Sequence, residues 1–390
     1  MLRAGGHPPE TFQVLATQRR RRCADVPPDQ RPKGPAENRW PLRCGWRRLT
    51  RMGISVTPLD PADRATLDAV YRTAVAAQAV DEPDLPPPCR RRFEAPLWHP
   101  MPGIDARWSV ARLDGGPVGW IRLYLHTLDN TENASVDLVV DPAYRRRGVG
   151  RALHEHGLTV LREHGGKRMV GSTVTPLPGE EHRELPGAAF AAAVGARPAL
   201  ADVRRRLDVT TLDRSRLAAL LAGARATADG YRAVRWRDHV PEEHVTDVAH
   251  LEGRLLLDAP LGELAWEQEQ MDAERIRGVE RALDGRGVRR YNVGAVHEAS
   301  GRLVAWSQLS FDASSVRHAW QQITIVDPAH RGHRLGLLCK AENLAYALSH
   351  EPELRVIDTY NAAENTHMIA INEQLGFRPV AGSTDWQLTL

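Results

Sequence analysis

Val140-Asp-Pro-Ala-Tyr-Arg-Arg-Arg-Gly-Val-Gly150 and Val326-Asp-Pro-Ala-His-Arg-Gly-His-Arg-Leu-Gly336 are two copies of one phrase, 186 residues apart. Each reads as an apolar strand that runs into a basic, glycine-bearing loop and then into a helix. Trp120 and Trp306 share the 186-residue offset, and Val194-Gly-Ala-Arg-Pro198 matches Leu375-Gly-Phe-Arg-Pro379 at an offset of 181. Three anchors in one order at nearly one spacing identify an internal duplication, which fixes the architecture before any single element is assigned.

The phrase also carries chemistry. Glycines in Arg145-x-x-Gly148-x-Gly150 let the backbone approach a ligand, and the free N–H groups of a helix start, with the positive end of its dipole, make an anion site. Arg145, Arg146, Arg147 and Arg151 add positive charge, so a pyrophosphate is the natural guest. A dinucleotide fingerprint would need a third glycine, and a Walker loop would need Gly-Lys-Ser/Thr; neither is present.

Outward from the first loop the pattern alternates strand and helix. It predicts a strand at Ile54–Thr57, a helix over Ala62–Ala77 entered through Asp60-Pro61, and strands at Trp108–Leu113, Val118–Leu125 and Ser135–Val140. A helix over Gly150–His164, a strand at Met169–Val174, a helix over Ala188–Val194 and a closing strand at Arg204–Val209 finish the unit. The second unit repeats the order: a joining helix at Arg214–Ala226, a strand at Tyr231–Trp236, helices at Glu242–Leu251 and Glu267–Leu283, then strands at Tyr291–His297 and Leu303–Ser310. The domains are therefore expected to be a basic, disordered tail over 1–51, a first unit over 52–212 and a second over 213–390. Met52 opens the first clean pattern and is a candidate start of translation.

The 390 residues carry a net +3, but residues 1–51 hold 12 Lys+Arg against 4 Asp+Glu, leaving the remainder at −5. A mildly acidic body argues against nucleic acid as a partner. No run of 18 apolar residues exists, so no membrane span is expected, and no secretory signal is visible. Cys23, Cys44, Cys89 and Cys339 are scattered without metal-ligand spacing, which reads as free thiols in a cytoplasmic protein with no metal.

The two loops, each followed after about 45 residues by Leu/Val-Gly-Phe/Ala-Arg-Pro, resemble the GNAT superfamily of N-acetyltransferases, in a tandem form like that of mycothiol synthase-like actinobacterial acyltransferases. The resemblance covers nearly all of 52–390. It implies an α/β fold of two GNAT units, each a mixed, strongly twisted sheet flanked by helices. It further implies acetyl-CoA as co-substrate in a gap between splayed central strands, with its pyrophosphate on the loop, and a small-molecule amine as acceptor. Carried over, the cofactor-binding residues are Arg145, Arg146, Arg147, Gly148, Val149 and Gly150 in the first copy. In the second they are Arg331, Gly332, Arg334, Leu335, Gly336 and Asn365, with Arg334 where the middle glycine is usual. The family often shows an Asn seven residues before a Tyr that protonates the departing thiolate. The second copy has Asn365 and Asn372 at these places, the first has Glu184 and Ala191, and neither offers the Tyr.

Two kinds of acceptor-side chemistry compete. Asp137 sits where the family often places its carboxylate base, against the alternative of a solvent-facing strand residue; the second copy has Ile323 there. The second copy instead gathers Thr359, Tyr360, Asn361, Glu364, Asn365 and His367 after its next strand, with Asn365 and Asn372 near one helix face and His367 a candidate base or an ordinary surface histidine. The second half is the favoured catalytic one, with the first binding CoA or serving as scaffold. Residues 238–274 hold 11 Asp+Glu and one Arg, either an acidic wall for a cationic antibiotic-like amine or a solvated helix face. Trp266 and Met271 read as helix residues that line a pocket or fill the core. A monomer with an internal pseudo-dimer is expected. The reading from another class is a non-catalytic acyl-CoA-binding or scaffold protein with decayed sites.

Overall fold

The computed structural model describes residues 53–177, 186–258 and 260–390. The expected disordered tail, Met52, Cys23, Cys44 and Glu184 lie outside them.

The first half follows the order β1 (Ile54–Pro58), α1 (Arg64–Asp81), α2 (Arg90–Glu94), β2 (Ile104–Leu113), β3 (Gly116–His126), β4 (Asn133–Val140), α3 (Val149–Glu163), β5 (Arg168–Thr175), α4 (Pro186–Ala193) and β6 (Arg197–Asp208). After α5 (Arg214–Thr227) the second half gives β7 (Tyr231–Arg237), α6 (Val245–Gly253), α7 (Leu255–Asp258), α8 (Ala273–Arg286), β8 (Arg289–His297), β9 (Leu303–Phe311), β10 (His318–Val326), α9 (Leu335–His350), β11 (Val356–Ala362), α10 (Thr366–Leu375) and β12 (Arg378–Thr389). Several elements depart from the expected bounds: β6 begins at Arg197, not Arg204, and helix starts shift as well. The first helix is capped by Asp63, whose carboxylate accepts from Thr66 N, because Asp60-Pro61 is spent on the preceding turn. The helix expected from Glu267 begins only at Ala273, capped by Asp272.

All twelve strands form one sheet in the order β1-β2-β3-β4-β5-β12-β6-β11-β10-β9-β8-β7. The closing strands have changed places. β6, expected to finish the first unit, pairs antiparallel with β11 of the second, while β12 pairs with β5 of the first, and the two pair with each other at the centre. The chain duplicates at about residue 213, yet the sheet runs through the junction without an edge.

Two gaps interrupt it. Parallel pairing of β4 with β5 lasts only from Asn133↔Arg168 to Ser135↔Val170, and that of β10 with β11 only from His318↔Val356 to Trp320↔Asp358. Beyond those pairs the strands part, and each gap opens toward the loop that follows β4 or β10.

Helices cover both faces. In the first half Leu67, Val70, Ala74 and Ala77 of α1 recur at helical spacing and bury against Trp108, Trp120 and Val139, while Val149, Leu153 and Leu161 of α3 pack on the other face. In the second half α6 and α8 meet Trp306, Ile323 and Ile325, and α9 lies opposite with Leu338 and Leu344. Each buried Leu or Val contributes roughly 1.5–3 kcal/mol. Residues 260–272 run as an extended segment across the junction. Trp266 packs edge-on against His126 at 4.9 Å, and Asn133 donates to the Ala265 carbonyl at 2.7 Å. Among the described residues no helix is long and apolar enough to cross a membrane, and no cluster of metal-ligating side chains occurs. Cys89 and Cys339 are free and buried.

Candidate active site

The two loops share one backbone. Asp141 and Asp327 turn the chain by accepting from Ala143 N at 2.9 Å and Ala329 N at 3.0 Å. Two left-handed residues then follow in each copy: Arg146 (φ 64°) and Gly148 (φ 86°) in the first, Gly332 (φ 91°) and Arg334 (φ 54°) in the second. Glycine and arginine have exchanged places over a conserved pair of left-handed positions. Keeping a side chain there costs about 1–2 kcal/mol, so each loop carries one such cost in a different place.

The loops end in open helix starts. α1, α5, α8 and α10 are each capped by an Asp or Asn side chain, whereas α3 and α9 have no side-chain cap. Their first N–H groups remain available to an anion. Arg146, Arg147 and Gly148 are exposed, as are Arg331, Gly332 and Arg334, while Val149, Leu335 and Gly336 are buried. Arg145 is already engaged: its guanidinium makes paired bonds of 2.9 and 2.8 Å to Asp81 at the end of α1. Arg331 does the equivalent with Asp258 at 3.2 Å. These arginines tie each loop to the helix on the other side of its gap. Arg147 lies over the Tyr144 ring, and Arg334 reaches Gln374 at 3.3 Å. A Cβ at Gly150 would meet the Phe190 ring at 3.2 Å, so this glycine lets α4 approach closely, whereas one at Gly336 would meet Ile371 of α10 at an ordinary 3.4 Å.

A chamber of about 460 Å³ adjoins the first gap. Trp120, Arg122, Asp137 and Ser172 line it from the first half, Trp320 and Tyr360 from the second. Asp137 is buried, not solvent-facing. It accepts from Arg122 Nε at 2.9 Å and again from the same guanidinium's terminal nitrogen, with the Tyr124 hydroxyl at 3.4 Å. Arg122 in turn lies over the Trp108 and Tyr124 rings at 4.6 and 4.8 Å. To act as a base, Asp137 would have to leave a buried ion pair, at a cost of several kcal/mol. Tyr360 stacks on Trp320 at 5.9 Å and faces this first chamber, away from the Asn residues expected beside it.

A smaller chamber of about 130 Å³ lies between the halves, bounded by α6, α8 and strands β8–β10 of the second and by Pro100, Ile104, Ala106 and Tyr124 of the first. Here the Arg122–Asp137 pair is replaced by Gln308 and Ile323, and a different carboxylate faces the space: Glu252 of α6. Glu252 has no hydrogen-bond or ion-pair partner. Burial pushes its pKa up to about 7, the Glu269 carboxylate adds to the rise, and Arg275 opposes it. The sequence held the signal. Val245, Val248, Ala249 and Leu255 form the apolar stripe of this segment, and Glu252 occupies the same stripe. Counting it within an acidic run hid that position. Most of the run is spent on structure, as Glu242 on Arg277, Asp247 on Arg302, Asp258 on Arg254, Glu269 on Arg275, and Asp272 on its helix start. Met271 lines the chamber from the extended segment, and Trp266 is core at the junction; neither stands on a helix.

The polar cluster expected after the strand divides, for Thr359, Tyr360 and Asn361 lie within β11 itself and only Glu364, Asn365 and His367 follow it. Thr359 donates to the Gln321 carbonyl at 3.1 Å across the second gap. Asn365 is the cap of α10, accepting from Met368 N at 3.1 Å, so it does not share a helix face with Asn372. Asn372 is fully buried, donates to Asn361 and accepts from Lys340 of α9. His367 and Glu364 are exposed and outside both chambers. In the first half the corresponding Ala191 is buried and apolar.

Residues 71–177 match the acetyltransferase (GNAT) family model. A mycothiol acetyltransferase of Geodermatophilus obscurus is 38% identical over 136 residues, which is 34% of this chain and 37% of that protein, so the match spans little more than a third of the relative's length. A tandem GNAT protein from the clavulanic acid biosynthesis pathway superposes over 86% of this chain and 98% of its own, with 33% identity and a TM-score of 0.74. A GCN5-related N-acetyltransferase from Sphaerobacter thermophilus covers 86% of this chain and 95% of its own at 16% identity and a TM-score of 0.57, a likeness of fold.

Proposed function

Since the chain belongs to the GNAT acetyltransferases in their tandem form, we propose that its second half, 213–390, transfers an acetyl group from acetyl-CoA to a primary amine of a small molecule, with the first half, 52–212, binding CoA or acting as scaffold. The observation that carries this reading is Glu252, a carboxylate without a partner facing the smaller chamber, which Gln322 and Ile323 of β10 border. A general base works best with a pKa near the working pH, and burial has brought Glu252 there.

In this reading the pyrophosphate rests on the uncapped start of α9 and the pantetheine arm enters the gap between β10 and β11. Unpaired backbone N–H groups of the parting strands polarise the thioester carbonyl. The amine arrives as an ammonium ion drawn by Glu252 and Glu269, loses its proton to Glu252, and attacks; the C–N bond forms, the C–S bond breaks, and the thiolate leaves. Holding both reactants together supplies much of the acceleration. The tandem relative belongs to the clavulanic acid pathway and the curated relative is named for mycothiol, and both fit a small polar amine as acceptor. The exchanged closing strands already pair the two halves inside one chain, which supports a monomer.

The test is acetyl-CoA turnover on an amine panel against pH. The rate should rise as Glu252 ionises through about pH 7. Glu252→Gln should remove that limb and lower kcat by roughly 10²–10⁴-fold, the usual worth of a positioned base. An Asp137→Asn variant that loses as much while Glu252→Gln loses nothing would move the chemistry to the first half.

A further inference from the structure

The second half lacks the expected tyrosine at the leaving-group position, yet something charged lies buried beside that place. Lys340 is 2% exposed within α9. Its ammonium donates to Asn372 Oδ1, stands 4.0 Å from the Met368 sulfur and 5.2 Å from the Phe377 ring. Asn372 passes the polarisation on by donating to Asn361 Oδ1 on β11. Asn361, nine-tenths buried on β11 three residues past its last pair with β10, accepts that bond, and its own Nδ2 donates to no protein group. Three donors point one way, and a hydrogen-bond chain with a cation at its head strengthens the donor at its far end.

We propose that Lys340 is a positioning residue that, through Asn372 and Asn361, aims a polarised amide donor at the sulfur of CoA and stabilises the departing thiolate. The inference rests on the second half being the working one. The electron pair of the breaking C–S bond stays on sulfur, the amine's proton has already gone to Glu252, and Lys340 forms no bond and gives up no proton. Burial lowers its pKa to about 7, with no charged group contributing. The nearby acids are committed elsewhere, Glu342 of the same helix to Arg225 and Arg235, and Glu373 of α10 to Arg205. The first half has no such chain. His154 stands at the place of Lys340 and packs against Phe190 at 6.1 Å, and Ala191 replaces Asn372.

Free CoA is the probe, because its thiolate absorbs in the far ultraviolet and can be titrated on the full-length protein without an acceptor. At and below about pH 7, where Lys340 carries its charge, CoA bound to the second half should show about tenfold more thiolate than free CoA at the same pH. Lys340→Met, which keeps the apolar length in the core, should abolish that gain, and Asn361→Ala, which leaves α9 untouched, should abolish it too with CoA still bound. Lys340→Gln, retaining the donor without the charge, should recover part of it. An unaltered thiolate titration in both Lys340→Met and Asn361→Ala, with CoA bound, overturns the inference alone. If Gly336→Asp leaves both CoA binding and the thiolate signal intact, the second-half reading falls and takes the inference with it.

Discussion

The first half answers the carboxylate on the strand before its phosphate loop with a guanidinium, Asp137 with Arg122, whereas the second half has replaced the same two positions by Ile323 and Gln308. The larger chamber, lined by both halves, holds the Arg122–Asp137 pair, and the first loop keeps the usual glycine at 148; the smaller chamber, also between the halves, is faced by an unpaired Glu252, and the second half carries a buried Lys340–Asn372–Asn361 chain. Both gaps persist, and so do both uncapped helix starts. On the proposed reading, a duplicated fold holds its ligand-binding frame twice while the second copy alone carries the Lys340–Asn372 pair, which the first replaces by His154 and Ala191. Binding geometry lives in the backbone, which both copies share; chemistry lives in a few side chains, which have diverged.

The comparison is broken most directly at the loops. Gly336→Asp places a carboxylate at the helix start where a pyrophosphate would rest, and the Ile371 contact at 3.4 Å leaves room for its Cβ. Turnover should fall by about 100-fold or more, as a loss of roughly 2.7 kcal/mol in binding requires. Gly150→Asp in the first loop meets the Phe190 ring at 3.2 Å, which can rotate away, and should cost less than about tenfold. Steady-state kinetics on both variants, with calorimetric acetyl-CoA binding, read the difference; the opposite ranking would assign the chemistry to the first half.

How far this division was legible in the sequence depends on whether the cause is local. The loops, the duplication and most strand positions follow from short-range patterns. The exchange of closing strands does not, because β6 and β12 are both 12-residue strands beginning Arg-Pro after a glycine-turned helix end, and nothing within either names its neighbour. Residues 267–272 were expected to open a helix, but Trp266 against His126 and the Asn130 and Asn133 contacts hold this stretch out of helical form, tertiary packing overriding propensity. Arg145 read as a phosphate ligand by its charge, and only the fold brings Asp81 to it. Glu252 was visible as an acid in an apolar stripe, a pattern that composition counts erase.

A second contrast concerns stability. Breaking the buried Arg122–Asp137 pair by Arg122→Gln alone strands a carboxylate among Trp108, Trp120 and Phe93, and should destabilise by about 3–5 kcal/mol. The second half shows what the site tolerates, since Gln308 and Ile323 fill it without charge. Arg122→Gln with Asp137→Ile should therefore recover most of the loss. Denaturant melts of the two singles and the double measure the coupling. An additive double would mean that Asp137 gains more from its other contacts than from Arg122.

The smallest effect lies in the exchanged glycines. Gly332 (φ 91°) has nothing within 4 Å of a built Cβ, so Gly332→Ala probes the left-handed backbone alone and should cost about 1 kcal/mol. Arg334 (φ 54°) already bears that cost, and Arg334→Gly should relieve it. The gain is partly offset by the freer unfolded chain, leaving at most about 1 kcal/mol of stabilisation. The reverse change in the first loop, Gly148→Arg at φ 86°, should destabilise by a similar amount, because the two loops share the backbone and differ in which residue bears the strain. If Arg334→Gly instead destabilises, the Arg334–Gln374 bond at 3.3 Å outweighs the strain, and arginine at this position is a tether between the loop and α10. Thermal melts of the four variants separate these outcomes, since the tether predicts that Gln374→Ala loses what Arg334→Gly loses, whereas relief of strain leaves Gln374→Ala silent.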